Sequence, residues 1–162
     1  QNNSKCIVYI FNYFITMVSL YFTEIIHAPK EVVWKTMLEK PTYELWTNAF
    51  SEWSTYQWSR EKWSEIRFVD PEGMGMIAQI AENKLYEYIS IHHLGAIQYD
   101  DTWKVTEYEY EGAWQENYTF TQQSDGTTEL SIELTNIPDD YVDMFNEMWP
   151  KALEILKGLC EQ

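Results

Sequence analysis

The stretch Pro138-Asp-Asp-Tyr-Val-Asp-Met-Phe-Asn-Glu-Met-Trp-Pro-Lys-Ala-Leu-Glu-Ile-Leu-Lys-Gly-Leu-Cys160 decides the fold. Tyr141, Phe145, Met148, Trp149, Ala152, Leu156 and Leu159 recur at steps of three and four, which sets them on one face of a helix. Val142, Met144, Leu153 and Ile155 widen that face. Asp139, Asp140 and Asp143 crowd the first turn, where the helix dipole favours negative charge, while Lys151 and Lys157 lie towards the other end. A helix over residues 138–160 would run roughly 34 Å, the width of a small domain. Pro150 removes a hydrogen bond inside it and predicts a bend. So broad an apolar face needs a broad surface to lie on, and the rest of the chain supplies strands.

Upstream of the helix the period is two. Leu130, Ile132 and Leu134 form one strand, and Ser124-Asp125-Gly126 is the hairpin turn before it. Trp114, Glu116, Tyr118 and Phe120 alternate along the preceding strand. Trp103 to Tyr110 reads as a more exposed strand with acidic alternation, after a loop at Asp100-Asp101. Leu85 to Gly95 carries Glu87, Ile89, Ile91 and His93 on one side, after a turn at Glu82-Asn83-Lys84. Met74, Met76, Ala78 and Ile80 share a strand face. Ile66 and Phe68 belong to the strand before the Asp70-Pro71-Glu72-Gly73 turn. Nearer the start, Pro29 opens a short helix faced by Val33, Trp34, Met37 and Leu38. Pro41 ends it and starts a second, with Leu45, Trp46, Ala49 and Phe50 turned inward. Strands grouped together between helices indicate an α+β fold. The expected sheet is curved and antiparallel, with about six to seven strands around the long C-terminal helix.

Length and charge bound the rest. At 162 residues one domain is expected. A formal net charge of -15, from 26 acidic and 11 basic residues, argues against nucleic acid or an anionic membrane surface as partner. Cys6 and Cys160 lie near opposite ends and form no metal-ligand spacing, so a reduced, cytoplasmic protein without metal or cofactor is expected. Cys6 to Phe22 is almost wholly apolar but short for a membrane span, has only Lys5 as a basic flank and lacks a small-residue cleavage site. Its second half leads directly into the first helix and reads as the first strand. Residues 1–16 are therefore set apart as an N-terminal extension, and residues 17–162 as the single domain.

A family resemblance enters at Ile26-His27-Ala28-Pro29-Lys30-Glu31-Val32-Val33-Trp34. An apolar residue, Ala-Pro, a few polar residues and Val-Trp resemble the opening signature of the SRPBCC, or START-like, superfamily. Tyr43-Glu44-Leu45-Trp46, Glu116-Asn117-Tyr118-Thr119-Phe120 followed by Gly126-Thr127-Thr128-Glu129-Leu130, and Trp149-Pro150-Lys151-Ala152-Leu153 are similar to its AHSA-like branch, named after the activator of the heat-shock-protein ATPase. The resemblance covers about residues 18–161 and implies a helix-grip fold, with a cavity between sheet and long helix that the superfamily uses for hydrophobic ligands.

With that fold, Trp46, Met74, Met76, Ile91, His93, Trp114, Glu116, Tyr118, Met144, Met148 and Trp149 are the candidate cavity residues. Methionine adapts to varied apolar shapes, though it equally fills ordinary cores. Glu116 points with Trp114, Tyr118 and Phe120; it either anchors a ligand's polar end or pairs with a core partner. His93 is either a ligand contact or a hydrogen-bonded core histidine, and His92 faces the other way. No nucleophile elbow, phosphate loop or nucleotide fingerprint is present, and no catalytic residue is assigned. Three functions stay open. The first is binding of a small hydrophobic molecule; the second is regulation of a chaperone ATPase through an acidic outer surface that includes Glu107, Glu109 and Glu111. The third is a cyclase- or hydrolase-type reaction in the same cavity, with Glu116 and His93 as acid and base.

Overall fold

The computed structural model describes residues 17–52, 55–58, 64–99, 102, 104–109 and 114–162. The expected N-terminal extension, the loop at Asp100-Asp101 and Glu111 lie outside the described residues, as does the backbone of Trp103 and Tyr110. The chain runs β1 (Met17–Ile26), α1 (Lys30–Leu38), α2 (Lys40–Trp46), a 3-10 turn (Thr47–Ala49), β2 (Thr55–Trp58), β3 (Glu65–Val69), β4 (Gly75–Lys84) and β5 (Tyr88–Tyr99). It continues through β6 (Val105–Glu109), β7 (Gln115–Gln122), β8 (Thr128–Pro138), a 3-10 turn (Asp139–Tyr141) and α3 (Val142–Cys160). The strands form one curved antiparallel sheet in the order β1-β8-β7-β5-β4-β3-β2, with β6 also paired to β5. β6 pairs with Gly95–Tyr99 and β7 with Tyr88–His92, so the two follow one another along the same strand. This is the α+β helix-grip architecture that the sequence implies.

Alternation explains which sheet face is covered. In β8, Thr128, Leu130, Ile132 and Leu134 are all essentially inaccessible, and their neighbours are half-buried. A bulge against β1 then shifts the register, with Asn136 at φ 58°, and turns Ile137 inward in place of residue 136. α3 lies across this face and packs through Trp149, Ala152, Leu153 and Leu156. Pro150 is exposed, and so is Asn146, whose carbonyl loses its helical partner to the proline and meets solvent there. Lys157 donates to Glu24 at 2.7 Å, and the His27 backbone N–H to Glu161 at 2.8 Å, which ties the end of α3 to β1 and the turn after it.

Several boundaries differ from the sequence reading. The last helix starts at Val142 rather than Pro138, because Pro138 still belongs to β8 and residues 139–141 form a 3-10 turn. Nineteen residues make α3 about 28 Å long. Glu82-Asn83-Lys84 is not a turn: after a bulge these residues pair with Ser90, Ile89 and Tyr88. The reversal falls at Leu85-Tyr86-Glu87, where Tyr86 takes φ 62° and Glu87 N–H donates to the Lys84 carbonyl. Glu87 is consequently exposed and does not share the face of Ile89, Ile91 and His93. Leu45, expected to face inward, is 54% exposed, since Tyr43 and Trp46 take the inner side of α2. β2 is an additional short strand that the sequence did not separate from its surroundings.

Candidate functional site

A cavity of about 740 Å³ lies between the sheet, α2 and α3. Its position follows from the packing just described: the lower half of α3 closes on β1, β8 and α1, while the upper half stands off from β3, β4 and β5. Gly75, at the start of β4, shapes one wall. A Cβ there would fall 1.9 Å from the Phe68 carbonyl oxygen, so only glycine allows β3 and β4 to approach this closely. All eleven residues singled out from the sequence line the cavity: Trp46, Met74, Met76, Ile91, His93, Trp114, Glu116, Tyr118, Met144, Met148 and Trp149. Met144 is 37% exposed and stands at the mouth, whereas Trp149 is 2% exposed and stands at the deep end.

The wall has a polar centre. Glu116 sits diagonally across the β5–β7 ladder from His93, whose direct neighbour is Trp114. The imidazole and indole rings stack with centroids 3.6 Å apart and planes within 4°. His93 Nε2 lies 3.0 Å from Glu116 Oε1, and the Tyr118 hydroxyl donates to Glu116 Oε2. The carboxylate thus has the core partners that the alternation left open as one alternative. Its side chain remains 15% exposed, against 1% for His93, and both line the cavity together with Trp114 and Tyr118. Burial pushes the Tyr118 phenol well above its ordinary value, and the charge and hydrogen bond of Glu116 add to the shift. Tyr43 is raised by burial first, then by Glu116 and Tyr56. Among the described residues, two buried side-chain atoms in the wall have no hydrogen-bond partner: His93 Nδ1 and Trp149 Nε1.

The sequence reading missed several lining residues. Tyr43 stacks on Phe68 and meets Trp46 and Tyr56 edge-on, and it forms the wall between α2 and the sheet. The three-residue step from Tyr43 to Trp46 carried the signal. Phe50 and Phe145 pack beside Trp149 and Trp114 and complete the ring of aromatics. Asp70 lies at the rim, its carboxylate accepting the backbone N–H groups of Glu72 and Met74. Met17 and Met37 also line the space, so all six methionines of the chain face it. Among the described residues no group of three or more His, Cys, Asp or Glu side chains is placed to hold a metal ion. No helix among them is long and apolar enough to cross a membrane.

The family described as "Activator of Hsp90 ATPase homolog 1-like protein" matches residues 27–161. No curated protein sequence matches. Solved structures share the fold at low identity. Protein CV1439 from Chromobacterium violaceum is 17% identical with a TM-score of 0.65, covering 89% of this chain and 97% of its own. Protein MLL2253 from Mesorhizobium loti is 16% identical with a TM-score of 0.65, over 88% and 96%. CalU16 from Micromonospora echinospora is 13% identical with a TM-score of 0.65, over 89% and 76%.

Proposed function

The chain belongs to the activator of Hsp90 ATPase homolog 1-like family, and from that premise we propose that it binds a small, mainly apolar molecule between its sheet and α3, as a non-enzymatic carrier or sensor. One observation carries the reading: all six methionines and, among the described residues, nine aromatic side chains line the same cavity. Methionine side chains repack around varied shapes, and aromatic rings offer flat contact area at low entropic cost. The volume falls within the range of about 300–1,000 Å³ usual for small-molecule sites. Glu116, His93 and Tyr118 would fix the polar end of the guest. Native mass spectrometry of the full chain, purified without detergent, followed by organic extraction, tests this. A discrete non-covalent guest of a few hundred daltons is expected; an apo mass that no panel of apolar compounds shifts would count against the proposal.

A second reading draws on the family itself, which is named for activation of a chaperone ATPase. The net charge of -15 suits docking on a basic protein surface. Stimulation of an Hsp90 ATPase that is lost when Glu107 and Glu109 of β6 are neutralised would favour it over the cavity reading. The enzymatic reading has less support. Both oxygens of Glu116 are already engaged, by His93 Nε2 and by the Tyr118 hydroxyl.

A further inference from the structure

Which guest the cavity selects depends on its charges, and this step rests on the cavity being a binding site at all. Among the described residues, the ionisable carboxylates on the wall are Glu116, on β7, and Asp70, at the rim. Among the described residues that line the space there is no lysine or arginine. Glu116 is fixed in place by two neighbours. It accepts from the Tyr118 hydroxyl, and it lies 3.0 Å from His93 Nε2. His93 Nδ1 is buried without a partner. An imidazolium would need an acceptor at both ring nitrogens, so the hydrogen-bond pattern assigns the neutral tautomer, with the proton on Nε2. The cluster therefore carries net negative charge, in surroundings of low polarity where such a charge acts strongly.

The rings around it suit the same sign. Trp114 lies against His93, Tyr118 approaches Trp149 at 6.1 Å, and Tyr43 stacks on Phe68 at 6.2 Å. Aromatic faces are electron-rich, and where these rings border the cavity they favour a cation over an anion. An anionic head group brought to Glu116 would meet a like charge and no counter-ion from the described wall. We propose that the cavity selects molecules with a flat apolar body and a protonated amine, and discriminates against fatty acids and other anionic amphiphiles of similar size. The amine's N–H groups would bond the remaining lone pairs of Glu116. The unpartnered Trp149 indole N–H gives an acceptor oxygen elsewhere on the guest a place to bond.

A matched series tests the charge. Naphthylethylamine, N-acetyl-naphthylethylamine and naphthylpropionic acid share one ring and differ in charge. They are titrated calorimetrically into the full chain at about 0.15 M and about 0.5 M salt. The amine is expected to bind about ten- to a hundredfold more tightly than either analogue, the scale of one charge-assisted hydrogen bond. That preference should persist at the higher salt and disappear in Glu116→Gln. Equal binding of all three, or tighter binding of the acid, overturns the charge inference and leaves the cavity reading standing. A preference that survives in Glu116→Gln, or that vanishes at the higher salt, assigns it to the acidic surface and also overturns the inference. Absence of binding by every member of the series overturns both. The wild-type series decides the question even where Glu116→Gln fails to fold.

Discussion

Glu116 is a charged group on an otherwise apolar wall, and its neighbours show how it is tolerated. A carboxylate taken out of water needs donors, and here it has the Tyr118 hydroxyl and His93 Nε2. The same arrangement suppresses ionisation of the surrounding phenols. Burial raises Tyr118, and the adjacent carboxylate raises it further; Tyr43 follows for the same two reasons. The sign of the linkage is fixed. A raised folded value favours the neutral phenol, so the stabilisation is fully present below the ordinary value of 10.0 and is lost as pH rises from there through the folded values. Titration followed by phenolate absorbance should show a class of tyrosines that ionises only as the protein unfolds in alkali. In Glu116→Gln, Tyr118 and Tyr43 should move back towards the ordinary range. A late-ionising class that fails to respond to Glu116→Gln would contradict the arrangement.

Among the elements, α3 does two jobs along its length. Near its C-terminal end, Leu156 is fully buried and seals the helix onto β1 and α1. Nearer the N-terminal end, Met148 is half-buried and borders the cavity. Truncation should separate the two. Leu156→Ala is expected to cost about 2–5 kcal/mol, because the surroundings cannot collapse onto the gap. Met148→Ala should cost less than about 1.5 kcal/mol, because its side chain already borders open space. Urea denaturation measures both, and equal losses would mean that the upper half of α3 packs as a conventional core. The inner face of α3 was legible from its three- and four-residue spacing, although Tyr141 and Ile155, assigned to it, are exposed, and so was the inward set of β7 and β8. Turns and bulges were not. Tyr86 and Asn136 both adopt positive φ, yet Tyr86 bears no mark of it in the sequence. The polar run Glu82-Asn83-Lys84 resembles a turn until its partners on β5 are known. The pairing of His93 with Glu116 depends on the β5–β7 register, which alternation within a single strand cannot supply.

For the molecule as a whole, the family and the fold were readable because their signatures lie on structural joints. Ala28-Pro29 turns β1 into α1, and the Ala28 carbonyl accepts from the buried Thr128 hydroxyl across one hundred residues of sequence. Trp149-Pro150 seats the long helix over Phe22 and Phe50. What the sequence left unexpressed was how completely the large side chains turn towards one space. That property emerges only when α2, β3, β4, β7 and α3 come together. The central claim is that this space receives a guest, and filling it is the most direct test. Binding of the neutral fluorophore N-phenylnaphthylamine to the full chain is compared with binding to Met76→Trp, which adds an indole to the cavity wall. Saturable one-to-one binding is expected, weakened at least about tenfold in the filled variant, with its melting temperature preserved. Equal binding by both proteins, or no saturable binding by either, would contradict it.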